Sequence, residues 1–140
     1  MMELATGAAG AQEIVDAGGV AAVVAAMAQH TADAVVQCRG CATLWGLARG
    51  DAARKQAVVD AGGMAAVVAA MGLHTADAVL QRHGCAALFN LSCGDATCKW
   101  AVVGAGAVAA LVAAMGQHAS DAELQRDAEN ALQNLSSLRS

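Results

Sequence analysis

The sequence predicts an all-α fold: a right-handed α-α superhelix of three repeats with three helices each. Three observations carry that prediction. First, Ile14-Val15-Asp16-Ala17-Gly18-Gly19 returns as Val58-Val59-Asp60-Ala61-Gly62-Gly63, then loosened as Val102-Val103-Gly104-Ala105-Gly106-Ala107. Second, His30, His74 and His118 stand 44 residues apart, and so do Asp33, Asp77 and Asp121, and Gln37, Gln81 and Gln125. A constant period of this length belongs to stacked supersecondary units, none of which buries its apolar face alone. Third, there is no proline in the 140 residues, and alanine recurs throughout. Nothing interrupts helix, and local preference favours it.

The middle copy justifies each element in turn. Gly50-Asp51 and Gly94-Asp95 punctuate the units, and each aspartate is placed to cap the helix that follows. Ala52 to Ala61 predicts a short first helix, ended at Gly62-Gly63, where glycine gives access to positive φ and a sharp turn. Met64 to Leu73 predicts a second helix that is apolar almost all round, hence buried on most sides. His74-Thr75 forms a short connection with Thr75 in position to cap. Ala76 to Ser92 predicts a longer third helix, with Val79, Leu80, Ala87, Leu88 and Leu91 at helical spacing. Cys93-Gly94 ends it. The copies then run over about 8–51, 52–95 and 96–140, one domain in all.

Composition removes several function classes. Hydrophobic residues make up 57% of the chain, yet there is one Phe, no Tyr and two Trp. Small side chains predict a thin core with closely approaching helices. The longest apolar run, Gly18 to Ala28, stops at Gln29-His30, well short of the ~20 residues a bilayer span needs. Met1-Met2-Glu3-Leu4 lacks the basic start and long apolar stretch of a signal peptide. A net charge of −4 argues against non-specific nucleic-acid binding. Five irregularly spaced cysteines, without an export signal, predict reduced thiols in an intracellular compartment, cytoplasm or nucleus.

Val58-Val59-Asp60-Ala61-Gly62-Gly63, an apolar helix, Asp77-Ala78-Val79-Leu80-Gln81 and Ala86-Ala87-Leu88-Phe89-Asn90-Leu91-Ser92 follow one another in fixed order. This pattern resembles the armadillo repeat, over residues 11 to 138. HEAT-type repeats, with two helices and no comparable glycine corner, fit less well. Two departures stand out. Armadillo repeats commonly carry Pro shortly after the glycine corner, where this chain has Ala21, Ala65 and Ala109. The family's nuclear-import adaptors carry Trp four residues before the third-helix Asn, where this chain has Ala42, Ala86 and Asn130.

The resemblance implies a non-catalytic protein-interaction or scaffold module. Its third helices would line a concave groove, and asparagine amides there would hold the backbone of an extended peptide. The Asn position falls on Gly46, Asn90 and Asn134, so the first copy has lost it. One turn earlier lie Ala42, Ala86 and Asn130, and a further turn earlier Cys38, Arg82 and Arg126. The expected peptide-binding residues are therefore Arg82, Asn90, Arg126, Asn130 and Asn134. Asn90 and Asn134 are expected to be exposed when no ligand is bound. The two arginines favour an acidic or backbone-exposed segment and would repel a basic one, and an alanine stripe cannot sandwich lysine stems. The bland alternative for Asn90 and Asn134 is that they satisfy neighbouring loop carbonyls. The alternative in function is a structural subunit that packs within an assembly or self-associates through its ends. Three repeats are about the minimum for such a stack. That leaves open a piece of a longer array, a chain completed by a partner, or an engineered consensus-like repeat protein.

Other features read as structure. Trp45 and Phe89 share a flank with Cys41 and Cys85, which predicts inter-repeat core rather than ligand platforms. In the third copy these places hold Glu129 and Gln133, as a terminal cap requires. The opening helix of the first copy is thin, with Gly10 and Ala11 where the second has Arg54 and Lys55. Met1, Met2 and Leu4 are expected to cover that end. Cys38-Arg39-Gly40-Cys41 matches C-x-x-C but falls within a helix, away from the N-terminus that would activate a thiol. The histidine ladder repeats at ~10 Å, too wide to share one metal ion, so local carbonyls are the expected partners. No nucleophile–base pair, phosphate loop or paired-carboxylate motif stands out. No catalytic residue, metal or cofactor is expected.

Overall fold

The computed structural model describes residues 18–49 and 52–139. Its helices are α1 (Gly19–Gln29), α2 (Ala34–Ala48), α3 (Ala52–Asp60), α4 (Gly63–Leu73), α5 (Ala78–Ser92), α6 (Ala96–Gly104), α7 (Ala107–Gln117) and α8 (Ala122–Ser136), followed by a 3-10 turn, Ser137–Arg139. The middle and last copies each show the expected short, medium and long helices. The opening helix of the first copy, Asp51 as a cap, and the covering role given to Met1, Met2 and Leu4 lie outside the described residues.

Each copy turns its corner on a glycine. Gly18, Gly62 and Gly106 have φ of 79°, 83° and 87°, the left-handed region that costs a side chain with a Cβ. At Gly62 the corner bends α3 against α4 by 65°, and at Gly106 it bends α6 against α7 by 66°. A second kind of glycine lies inside the third helices. A Cβ on Gly40 would sit 2.5 Å from Met27 Sδ, and one on Gly84 2.6 Å from Met71 Sδ. There glycine serves close approach of the second helix to the third, not a special φ. The third copy carries Ala128 at that register, fully buried.

The turn into each third helix is capped by aspartate. Asp77 Oδ1 accepts from the Leu80 N–H at 3.1 Å, and Asp121 Oδ1 from the Leu124 N–H at 3.1 Å. Asp33 does the same for Val35 and Val36. This corrects the placement of the cap at Thr75 and the start at Ala76. A carboxylate three residues before the free N–H groups is the better acceptor, so the helix begins at Ala78. Asp95 caps α6 as expected, accepting from the Cys98 N–H at 2.9 Å.

The periodic glutamines close the other end of the second helices. Gln37 Nε2 donates to the Met27 and His30 carbonyls, both at 2.8 Å. Gln81 Nε2 donates to Met71 and His74, at 2.9 and 3.0 Å. Gln125 Nε2 donates to Met115 and His118, at 2.9 and 3.1 Å. One amide thus ties a carbonyl in the last turn of the second helix to the histidine carbonyl of the connecting turn, which also accepts the N–H of the capping aspartate.

The core is one continuous cluster. Leu44, Leu80, Leu88, Leu111 and Leu124 are fully buried in it, with Val58, Val67 and Val102 between the layers. Third helices stack side by side as α2, α5 and α8, with α5 in extensive contact with both of the others. Among the described residues no single helix is long and apolar enough to cross a membrane.

Candidate functional site

The stacked third helices present one ladder of side chains, and a cleft of about 240 Å³ opens on it. Trp45 of α2, Arg82, Ala86, Phe89 and Asn90 of α5, and Glu123, Arg126 and Asp127 of α8 line it. All three copies contribute, because register-equivalent positions come side by side when the third helices stack.

Asn90 and Asn134 belong to this surface, but neither side chain stands free. Asn90 Nδ2 donates to the Trp45 carbonyl of the preceding copy at 3.4 Å. Asn134 Nδ2 donates to Ser92 Oγ at 3.1 Å and lies 3.6 Å from Cys93 Sγ. Both residues are half-buried. The expectation of exposed amides is corrected: each spans a copy boundary in the unliganded chain. The 3.4 Å bond of Asn90 is long enough to exchange easily for a better acceptor. Asn130 is exposed one turn before Asn134.

The arginines differ from each other. Arg82 Nε donates to Asp121 Oδ2 at 2.9 Å, an ion pair between the second and third copies. Arg126 projects into solvent, its side chain 66% exposed, with Asp127 Oδ1 3.9 Å away. Asp121, Glu123 and Asp127 therefore share the surface with the two cations. Burial pushes the Asp127 carboxyl above its ordinary pKa, Arg126 opposes the shift and Glu123 adds to it. The groove is mixed in charge. The acidic preference of a partner, which rested on Arg82 and Arg126 alone, loses its support.

Trp45 and Phe89 pack half-buried against the core and also line the cleft. Trp45 lies 6.1 Å from the His83 ring between centroids, and the Arg49 guanidinium stands 5.3 Å from the Trp45 ring centre. They are inter-repeat core on one side and groove wall on the other. Glu129 and Gln133 are exposed.

The remaining candidates have structural partners. Burial and the neighbouring Cys38 push the Cys41 thiol up to about 12, and burial raises Cys38 as well. A redox pair needs the opposite shift. Cys98 Sγ donates to the Leu91 carbonyl at 3.1 Å, where the second copy uses Arg54 Nε on Leu47 at 3.4 Å. His74 Nε2 lies 2.9 Å from the Thr31 carbonyl and His118 Nε2 2.8 Å from the Thr75 carbonyl. The ladder binds carbonyls of the preceding copy, not local ones. No group of three metal-ligating side chains occurs among the described residues.

Known structures share this architecture. One engineered protein matches at TM-score 0.83 and 25% identity, over 96% of this chain and 53% of its own. A second matches at TM-score 0.82 and 34% identity, over 95% of this chain and 31% of its own. A designed armadillo repeat protein matches at TM-score 0.78 and 23% identity, over 90% of this chain and 50% of its own. This chain thus spans about half or less of the length of the structures it matches. No family model matches the sequence, and no curated protein matches it.

Proposed function

We propose, on the premise that this chain is an armadillo-like repeat solenoid, that it is a non-catalytic protein-binding module holding an extended segment along its third helices. The observation that carries this is the ladder of Asn90, Asn130 and Asn134 beside a cleft built by all three copies. A carboxamide offers a donor and an acceptor to one peptide unit, so amides at repeat spacing grip an extended backbone whatever its side chains. Arg126 is the exposed cation of the groove, and Glu123 and Asp127 balance it. The segment is therefore one of mixed polarity rather than a strongly acidic one. A half-exposed Trp45 offers an apolar wall for one side chain of the segment.

The test is selection of peptide binders from a random library, mapped by amide chemical shifts. Peptides should perturb α2, α5 and α8 and leave α1, α4 and α7 unmoved. Asn90→Ala and Asn134→Ala should weaken binding by ~1–3 kcal/mol each. A binder indifferent to both asparagines and mapped to the second helices rejects the groove reading. It would favour the second one, a structural subunit that packs through its outer layer or ends.

A further inference from the structure

We propose that the outer layer carries a second site, apart from the groove, for a small lipophilic alcohol. The second helices of the first two copies, α1 and α4, leave between them a cavity of about 340 Å³. Val24 and Met27 of α1 and Ala65, Ala66, Ala69 and Ala70 of α4 form its walls. Alanine along α4 is what leaves the space, since its methyl groups do not fill a gap that longer side chains would close. At the corner beside it, a Cβ on Gly62 would meet nothing within 4 Å, whereas at the next boundary one on Gly106 would meet Val68 Cγ1 at 3.9 Å. The volume lies at the small end of the range for ligand pockets.

Gln37 determines the polar part of the ligand. It borders the cavity and is only 2% exposed. Its Nε2 is committed twice, to the Met27 and His30 carbonyls. Among the described residues nothing donates to its Oε1. No fully buried side-chain oxygen or nitrogen among them lacks a partner. Oε1 therefore keeps an opening, and the cavity is the open space that Gln37 borders. A nearly buried side chain thus offers one acceptor to an apolar chamber. The matching ligand donates a single hydrogen bond and is otherwise apolar. A hydroxyl does so, whereas an ether or a carboxylate only accepts. An ammonium group would also donate, but no acidic side chain lines the cavity to offset its desolvation.

The rim determines the apolar part. Leu73 lines the cavity and is 61% exposed, at the register where the first copy has Gln29 and the third Gln117. In the copy that supplies the α4 wall, a polar amide gives way to a large apolar side chain. It extends the wall beyond the short alanines and gives an alkyl chain a surface to lie on. The cavity lies between α1 and α4 and the groove on α2, α5 and α8, so each is tested without the other.

The test titrates octanol into the full chain and follows its methyl and glutamine side-chain NMR signals. Heptyl methyl ether, an isomer of octanol with no donor, is the control probe. Octanol should shift the Val24, Ala69 and Leu73 methyls and the Gln37 side-chain amide in one saturable process. The ether should bind about fivefold more weakly, the difference one hydrogen bond makes. Leu73→Gln, which restores the residue of the other copies at an exposed place, should weaken octanol by about threefold or more. Ala69→Leu, also at an exposed place, should fill the slot and abolish binding. Melting curves confirm that both variants fold. Asn90→Ala should leave octanol binding unchanged. Equal affinity for the alcohol and the ether overturns the proposal, as does octanol binding that survives Ala69→Leu. So does the lack of a saturable shift at these residues up to the solubility limit of octanol.

Discussion

His118 reaches back across a copy boundary to Thr75: its Nε2 lies 2.8 Å from a carbonyl oxygen 43 residues earlier. His74 repeats the contact with Thr31 at 2.9 Å. The carbonyl can only accept, so Nε2 carries the proton. We expect His118→Ala to lower stability in urea melts by ~0.5–1.5 kcal/mol, the net value of one such bond. Gln81→Ala should cost more, ~1–3 kcal/mol, because it strands the Met71 carbonyl at a buried helix end, while the His74 carbonyl keeps the Asp77 N–H. Equal losses would mean that the glutamine closes no helix end.

Two glycines should respond differently to the same substitution. Gly62 has open space where a Cβ would go but a φ of 83°, so Gly62→Ala should cost ~1–2 kcal/mol of backbone strain. Gly84 is crowded only by the flexible Met71 side chain, and the third copy already holds Ala128 there. Gly84→Ala should cost less than Gly62→Ala, and Gly84→Leu far more, as overpacking does. Melting midpoints in the opposite order would reject this division.

Thiol chemistry should sort the cysteines by depth. Cys93 is exposed, whereas Cys41 and Cys85 are fully buried, with thiols pushed up to about 12. A thiol reagent at neutral pH should modify Cys93 rapidly, and Cys41 and Cys85 only at the rate of unfolding. Both folded-state values lie above the ordinary 9.0. Stability from these two groups is full below that ordinary value and is lost as pH rises from about 9 towards 12. Alkaline melts of Cys41→Ala should show less of this loss, whatever the cavity costs at neutral pH.

Asp127 gives the acidic counterpart. Its carboxyl is held above its ordinary pKa, chiefly by burial. Its contribution is therefore full below the unfolded value and lost as pH rises through the folded one. Asp127→Asn should raise stability at neutral pH and flatten the acid side of the profile. A variant less stable than the parent at neutral pH would show that the Arg126 contact outweighs burial.

The 44-residue period made the repeats, their three-helix make-up and the glycine corners legible. So was the polar, exposed character of Glu129 and Gln133. The helix start at Ala78 was not, since Thr75 and Asp77 both offer a capping oxygen and only the turn geometry decides. The glutamine column was visible as spacing, but its task depends on the tertiary approach of α4 to α5. Arg82, Asn90 and Arg126 could be placed on one stripe from helical spacing. Glu123 and Asp127 could not be joined to them, because that depends on how far each third helix rotates against the last. Trp45 was read from its flank, and its second face, open to the cleft, follows from the same rotation.

Among the described residues, the side-chain hydrogen bonds between copies at long sequence separation link immediate neighbours, at 39 to 45 residues. Through these bonds the range of direct communication is one repeat. The first copy can inform the third only by disturbing the second, so the middle copy acts as the relay. A lesion at α8 leaves α2 unaware of it as long as α5 holds, and softening α5 uncouples both ends at once.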